Sequence, residues 1–465
     1  MAEQRGNFSS RLGFILAAAG SAVGLGNIWQ FPFKVGDGGG AAFVVMYLIF
    51  CFVLCFPVMV AEIAIGRKTQ LNPVGAFKAL GYKNWAFVGY LGLASGVLIL
   101  SFYNVVAAWA FGYFVDILFS QFSVGELAFK SFVADYVKVG AYAALFMFST
   151  AYVVSKGISH GIEKAAKILM PSLFMMILVL IGYALTLPNA MDGIRFYLLP
   201  DFSQITGKVI YSALGQAFFS LSLGMGALIT YGSYVSKKEN IVSAAAVITL
   251  MDVGVATLAG FMIFPFVFSQ GIETDGGAGL IFMTLPGVFE SLGDLLGVIV
   301  GAAFFLLLSF AAFTSTISLL EVPTAYMVDE KNIARSKATW IVAIFIFLVG
   351  IPSMLSNGAV DSLTQFISLE GVGEKSFMDF ISIISSDTFL PLGGFLIAIF
   401  TAYVWKKENF NHELSNGDNE IEGSWLQRYV DFAISYICPV LLGLMFVVTV
   451  MDTFFDIKLL NLLFD

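Results

Sequence analysis

Gly20-Ser21-Ala22-Val23-Gly24-Leu25-Gly26-Asn27 stands in the middle of the first long apolar run of the chain, residues 11–36. Each glycine weakens a helix by about 1 kcal/mol relative to alanine, so such a cluster inside an apolar run needs a reason. One reason is close packing of helices through small residues. The other is a helix built to be interrupted. A second stretch of the same kind, Ser220-Leu221-Ser222-Leu223-Gly224-Met225-Gly226, lies within residues 209–235. The rest of the chain decides between the two readings.

The chain has 465 residues, 58% hydrophobic and 12% charged, with a mean hydropathy of +0.88. A soluble domain carries roughly 25% charged residues; this chain cannot cover itself with polar groups, so membrane lipid must be most of its solvent. Eleven apolar runs are long enough to cross a hydrocarbon core of about 30 Å. They lie near residues 11–36, 41–66, 85–120, 138–155, 165–187, 209–235, 241–269, 296–328, 338–355, 377–405 and 429–455. Only helices satisfy their backbone polar groups within one segment in lipid, which makes the fold class an all-α polytopic membrane protein with eleven transmembrane helices.

The connections set the orientation. With the N-terminus inside, the cytoplasmic side carries 17 of the 24 Lys and Arg residues, so the positive-inside rule places the N-terminus in the cytoplasm and, with an odd number of spans, the C-terminus outside. The loop Glu273–Asp294 has four acids and no base, as suits an external loop. Residues 406–428 form the longest polar stretch and read as a mobile cytoplasmic loop before helix 11 and the tail, 429–465. The first apolar run lacks a small-residue cleavage pattern, so it reads as structure rather than as a signal peptide.

Composition also excludes functions. No basic cluster exceeds two adjacent Lys or Arg, so nucleic acid is not a partner. Cys51, Cys55 and Cys438 sit inside apolar runs and read as small core residues. His160 and His412, the two histidines, fall in polar connections, which rules out a His-Glu-x-x-His metalloprotease. No nucleophile–base set points to an enzyme, and no filter-like motif points to a channel. Nothing in the sequence fixes an oligomeric state.

The two interrupted stretches fall in spans one and six. These are corresponding positions if spans 1–5 and 6–10, about residues 11–187 and 209–405, are inverted repeats within a core of residues 1–405. The halves share no clear residue identity, so the repeat rests on placement. Paired broken helices in inverted repeats put substrate and ion near the membrane midplane. Freed N–H groups and helix N-termini suit a carboxylate, and freed carbonyls suit a small cation.

Specific residues then point to a family. Arg11-Leu12-Gly13-Phe14-Ile15-Leu16, with Gly20 to Trp29 and Phe31-Pro32, resembles the first-helix signature of the neurotransmitter:sodium symporter family. Gln216-Ala217-Phe218-Phe219-Ser220-Leu221-Ser222-Leu223-Gly224 resembles its sixth helix and Phe313-Thr314-Ser315-Thr316-Ile317 its eighth. The resemblance covers roughly residues 5–405, and eleven spans match the bacterial branch. It implies alternating-access, sodium-coupled import of a zwitterionic amino acid across the cell membrane, with two Na+ sites. The first would use the Ala22 carbonyl, Asn27, Ser220, Asp252 and the substrate carboxylate. The second would use the carbonyls of Gly20, Val23 and Ala311 with the hydroxyls of Thr314 and Ser315. Hydroxyls that merely back-bond to their own helix are the ordinary alternative.

The resemblance further places the substrate carboxylate at the Leu25 and Gly26 amides and the Tyr103 hydroxyl. The ammonium falls among carbonyls near Ser21, Phe219 and Ser222, beside Ala22 and Ser220. Ile99, Tyr103, Phe219, Ser222, Met225, Ser315 and Leu319 would line the side-chain pocket. Leucine-selective members carry Phe where Met225 stands, and an unbranched thioether can move aside for a larger ring, so the expected substrate is hydrophobic or aromatic. Phe219 and Tyr103 would form a thin lid. Arg5 with Asp329, near Tyr234, would form a cytoplasmic gate.

Two departures stand out. The family usually has Arg where this chain has Gln30, facing an acid that corresponds to Asp379. Lys34, one turn further out, either reaches Asp379 or snorkels to the interface. Secondly, the acid that spares bacterial members chloride is replaced by Ala256, while Asp252 stands where Asn is usual. An intramembrane acid is a functional candidate, and Asp252 would make chloride unnecessary. Glu62 reads as a structural acid that accepts N–H bonds from the broken first helix. The rival reading is a proton-coupled or uncoupled amino-acid exchanger on the same scaffold, with Asp252 as the proton carrier.

Overall fold

The structure is a computed structural model that describes residues 6–269, 271, 280–417 and 421–459. Among these residues nine continuous helices are long and apolar enough to cross a membrane. They are span 2 (Ala41–Thr69), span 3 (Lys83–Leu118), span 4 (Tyr136–Ser155), span 5 (Ile158–Ala184), span 7 (Ile241–Ser269), span 8 (Asp294–Lys331), span 9 (Arg335–Leu355), span 10 (Phe377–Val404) and span 11 (Trp425–Phe455). Span 1 is the pair Arg11–Ala22 and Gly26–Asp37, bent by 49° at its break. Span 6 is a second pair, Gly207–Ser220 and Ala227–Gly232. At 1.5 Å per residue these halves are only about 21 Å and 9 Å long, so neither crosses alone. Nine continuous and two interrupted helices thus account for the eleven expected spans.

The interior is organised around the long helices. In span 3, 72% of the most apolar stretch is buried, against 33% in span 5, which places span 3 at the centre and span 5 at the lipid-facing rim. Spans 2 and 6 approach closely: a Cβ on Gly66 would overlap the Ile229 carbonyl oxygen, and one on Gly232 would lie 2.7 Å from that of Ile63. Their backbones touch because both positions lack a side chain.

Several connections differ from the sequence reading. His160 lies in a π-helical turn, Ile158–Glu163, that opens span 5, and His412 lies in a helix. That helix, Lys407–Ser415, occupies the stretch expected to be a mobile loop. Phe410 and Leu414, one turn apart, are buried on its inner face, and the side chain of Glu413 is buried with them. Local apolar spacing of i, i+4 inside a polar stretch explains why it docks. A small antiparallel hairpin, Ile367–Leu369 with Gly373–Lys375, precedes span 10. Part of the acidic loop Glu273–Asp294 lies outside the described residues, and its later part is helical from Leu280 onward.

Gly66→Ala should cost about 1–3 kcal/mol through overpacking against span 6, seen as a lower melting temperature of the purified protein. Gly182→Ala, inside span 5 where a Cβ meets nothing within 4 Å, should not lower that temperature and should raise it slightly through helix propensity.

Candidate substrate and ion site

The two breaks are held by side chains rather than by helix bonds. In span 1 the helix ends at Ala22 and Val23 turns to an extended conformation. Asn27 Oδ1 then accepts the freed Gly24 N–H at 3.0 Å. In span 6 the chain passes through left-handed conformations at Ser222, Gly224 and Gly226. Such a conformation costs a non-glycine residue about 1–2 kcal/mol. Ser222 is held there by its hydroxyl, which donates to the Ser21 carbonyl at 2.8 Å and joins the two breaks. Glu62 Oε1 accepts the Gly224 N–H at 2.7 Å. The acid therefore braces the sixth span, not the first as the sequence suggested, because span 2 packs along the second half of span 6.

Two clusters of oxygen atoms flank the breaks. In the first, Asn27 Nδ2 lies 2.7 Å from Asp252 Oδ1 and 3.0 Å from Ser220 Oγ. Ser220 Oγ lies 3.0 Å and 3.1 Å from the two carboxylate oxygens, and Tyr47 Oη reaches Oδ2 at 3.2 Å. Ala22 is buried and lines the same cavity as Ser220. In the second, Thr314 Oγ1 lies 3.3 Å from the Val23 carbonyl and 3.0 Å from that of Ala311. Ser315 Oγ lies 3.4 Å and 3.3 Å from the same two carbonyls. A Cβ on Gly20 would sit 3.2 Å from Thr314 Cβ, so the glycine lets span 1 approach span 8 here. The hydroxyls back-bond within span 8 and reach across to span 1 at once. A hard cation takes such oxygen ligands. Among the described residues no group of three or more His, Cys, Asp and Glu forms a softer metal site.

Between the clusters lies a cavity of about 30 Å³ lined by Ser21, Ala22, Gly24, Gly26, Ile99, Tyr103, Phe219, Ser220, Ser222, Met225, Ser315 and Leu319. Eleven of these are residues singled out from the sequence. Gly24 is the addition: a Cβ there would overlap Ser315 Oγ and lie 2.7 Å from Tyr103 Oη. Leu25, the remaining expected residue, donates its N–H to Tyr103 Oη at 2.9 Å and lines a second, larger cavity.

That second cavity, a vestibule of about 740 Å³, opens at the end of the protein that carries Gln30, Lys34 and Asp379. Gly26, Tyr103 and Phe219 line both cavities and form the partition between them. Among the described residues no ion pair joins Lys34 to Asp379. Asp379 instead closes a capping box at the start of span 10, bonding the Ser376 N–H at 3.2 Å and hydroxyl at 2.8 Å. Asp387, two turns further along span 10, lines the same vestibule as Lys34. Sequence reading missed Asp387, and it missed the wall that span 11 contributes through Met445, Thr449 and Asp452. Span 11 stands outside the repeats and carries no motif.

At the opposite end Arg5 lies outside the described residues. Asp329 accepts from the Asn72 N–H at 2.9 Å and from Asn72 Nδ2 at 3.2 Å. Tyr234 Oη donates to Glu321 Oε1 at 2.5 Å, and Arg335 pairs with the same carboxylate. Neither Glu321 nor Arg335 was singled out, although an acid inside an apolar span is itself a signal.

Comparison with known proteins identifies the family and the fold. The profile of the Sodium:neurotransmitter symporter family matches residues 5–128 and 120–460. The chain is 38% identical over 427 residues to the uncharacterized sodium-dependent transporter YhdH of Bacillus subtilis, covering 90% of this chain and 92% of that one. It is 27% identical over 432 residues to the sodium-dependent serotonin transporter of Drosophila melanogaster, covering 79% and 67%. Among solved structures, that of MhsT in complex with L-phenylalanine superposes with a TM-score of 0.86 at 41% identity, covering 96% of this chain and all of that one.

If Lys34 works with Asp387, Lys34→Ala and Asp387→Ala should impair transport non-additively, with a coupling of about 0.5 kcal/mol or more in uptake rate. Lys34→Ala with Asp379→Ala should be additive. The reverse pattern would return the pairing to Asp379.

Proposed function

The chain belongs to the Sodium:neurotransmitter symporter family, and from that premise we propose that it imports a zwitterionic amino acid with a hydrophobic or aromatic side chain, coupled to sodium and independent of chloride. Membership makes it a membrane transporter, sodium-dependent like its relatives, and not an enzyme. The observation that carries the finer reading is the small cavity between the joined breaks. Oxygen clusters, neutral apart from Asp252, flank it; Tyr103 and Phe219 wall it, and no charged side chain lines it. A charged substrate side chain would enter unpaired, at a cost of several kcal/mol. Met225 and Leu319 suit an apolar group, and L-phenylalanine in the related MhsT supports the aromatic end of the range.

In this reading the substrate carboxylate meets the Leu25 and Gly26 amides, Tyr103 and the first Na+. A second Na+ binds at Thr314 and Ser315 and stabilises the contact between spans 1 and 8. The distribution of basic residues supports an N-terminus in the cytoplasm and a C-terminus outside; in that orientation the vestibule faces outward and Lys34 with Asp387 forms its gate. Binding drives closure only through different affinities for the outward and inward states.

Asp252 supplies the fixed negative charge. Its partners Asn27, Ser220 and Tyr47 are neutral donors, so the carboxylate is left to offset Na+. At about 5 Å and an effective dielectric near 20 that attraction is about 3 kcal/mol.

Sodium should therefore be needed for binding itself: Phe, Tyr, Trp or Leu should raise the melting temperature in sodium and not in choline. Excess glutamate or lysine should not compete. Equal uptake in choline would sink sodium coupling and favour a proton carried by Asp252.

Replacing chloride with gluconate should leave uptake by the native protein unchanged. Asp252→Asn should abolish chloride-free uptake, with partial recovery in chloride. A native protein that fails in gluconate would remove Asp252 from the role of resident anion.

A further inference from the structure

Arg67, in the last turn of span 2, has no exposed surface and is the largest fully buried side chain among the described residues. Its Nε donates to Glu413 Oε1 at 2.7 Å, and Glu413 is itself 2% exposed. Its Nη1 donates to the Asn416 carbonyl at 2.7 Å and to that of Glu239, and its Nη2 to the carbonyl of Glu413. Asn416 Nδ2 holds the other Glu413 oxygen at 3.0 Å, and Lys68 lies 3.6 Å from it. One guanidinium thus binds three pieces of chain: the end of span 2, the turn between spans 6 and 7, and the helix Lys407–Ser415.

The same turn reaches span 1, because Glu239 pairs with Arg11 at 2.9 Å. Gln70 of span 2 also holds the Val235 carbonyl at the end of span 6, at 3.0 Å. The cytoplasmic ends of spans 1, 2, 6 and 7 are therefore fastened together, and the helix Lys407–Ser415 is fastened to them. The bonds that join this group to spans 5 and 8 are different ones. Ser9 and Ser10 hold Glu163 of span 5, and Tyr234 holds Glu321 of span 8.

We propose that the helix Lys407–Ser415 is a strap that travels with spans 1, 2, 6 and 7 through the transport cycle, and that Arg67 and Glu413 are the positioning residues that tie span 10 to that moving group. A buried charge pair is costly to separate because each partner would be left unpaired, so an opening motion breaks elsewhere. The hydroxyl contacts to Glu163 and Glu321 cross the dividing line; the Arg67 cluster does not. The strap hangs from span 10 through Lys406, whose φ is +73°, after a π-helical turn at Phe400–Val404. Two-state motion of the group thus reaches Asp387 and Ser382 on the vestibule wall by way of span 10. The inference rests on the transporter reading but on no particular substrate.

Two measurements on the full chain in membranes test it. Asn416→Cys with Lys238→Cys, joined by a short bifunctional thiol reagent, should keep transporting, since Gly417 and Lys238 are already in contact. Loss of uptake on cross-linking would mean that the strap must lift, and would overturn the proposal. In the second, Ser382→Cys is labelled from outside by an impermeant maleimide without substrate; Cys51, Cys55 and Cys438 are buried. Adding Glu413→Ala should slow this labelling about fivefold, the low end of common coupling between distant sites. It should also lower the maximal uptake rate without changing KM. Glu413→Gln, which keeps the acceptor for Arg67, should restore most of both. An unchanged labelling rate in Glu413→Ala protein would show a strap without coupling and refute the idea. If Glu413→Ala does not fold, the cross-link and Glu413→Gln still decide, the latter by labelling at a rate between the native and fivefold-slower values.

Discussion

Breaking a helix at membrane depth strips hydrogen bonds from N–H and C=O groups that lipid cannot satisfy. In this protein the replacements come from single, identifiable side chains: Asn27 for Gly24, Glu62 for Gly224, and Ser222 for Ser21. The last of these matters most, because it makes the two breaks one object. A movement of span 6 at Ser222 is a movement of the Ser21 carbonyl. Span 2 is drawn into the same object, since Glu62 must stay within hydrogen-bond reach of Gly224. The glycine contacts at Gly66 and Gly232 follow from that requirement, as no side chain fits between the backbones.

Charge is distributed accordingly. Around the small cavity nearly every ligand atom is a neutral oxygen, which keeps the site affordable in a low dielectric when nothing is bound. Asp252 is the exception, held by three donors that neutralise none of its charge. The other strong charges lie toward the two ends of the path: Lys34 and Asp387 at the vestibule, and Glu321 with Arg335, and Arg67 with Glu413, at the opposite end. Neutral groups line the small cavity, and the charged groups stand toward its two ends.

This division explains what the sequence revealed. The breaks were legible because two glycine-and-serine runs fall at corresponding places in spans one and six, a pairing that helix packing alone does not require, and the cavity residues followed once the motif fixed the register. Glu62 was recognised as a brace but given to the wrong helix, because its partner depends on which span lies beside span 2, a tertiary fact. The strap was misread because nine residues of polar composition look like a loop until a buried arginine from a distant span is set against them. Arg67 sits next to Lys68 in the sequence, and nothing local distinguishes the fully buried cation from its exposed neighbour. Asp387 was hidden behind Asp379, which matched the family position yet spends its carboxylate on its own helix.

The depth of that acid bears on how the vestibule closes. Span 10 begins at Phe377, so Asp387 lies about 12 Å further along it than Asp379 at 1.5 Å per residue. Lys34 lies one turn outward of Gln30, and a four-carbon stem lets its ammonium reach back toward the level that Gln30 occupies. The two displacements have opposite senses, so Lys34 and Asp387 stand farther apart along the helices than residues 30 and 379, with the vestibule between them. In the wide vestibule water screens the two charges, and a pair in water contributes under about 1 kcal/mol. Closure expels that water and strengthens the attraction severalfold as the effective dielectric falls, while desolvation opposes it. Two opposing terms that both grow on closure leave a small difference, and a small difference is what a reversible gate requires.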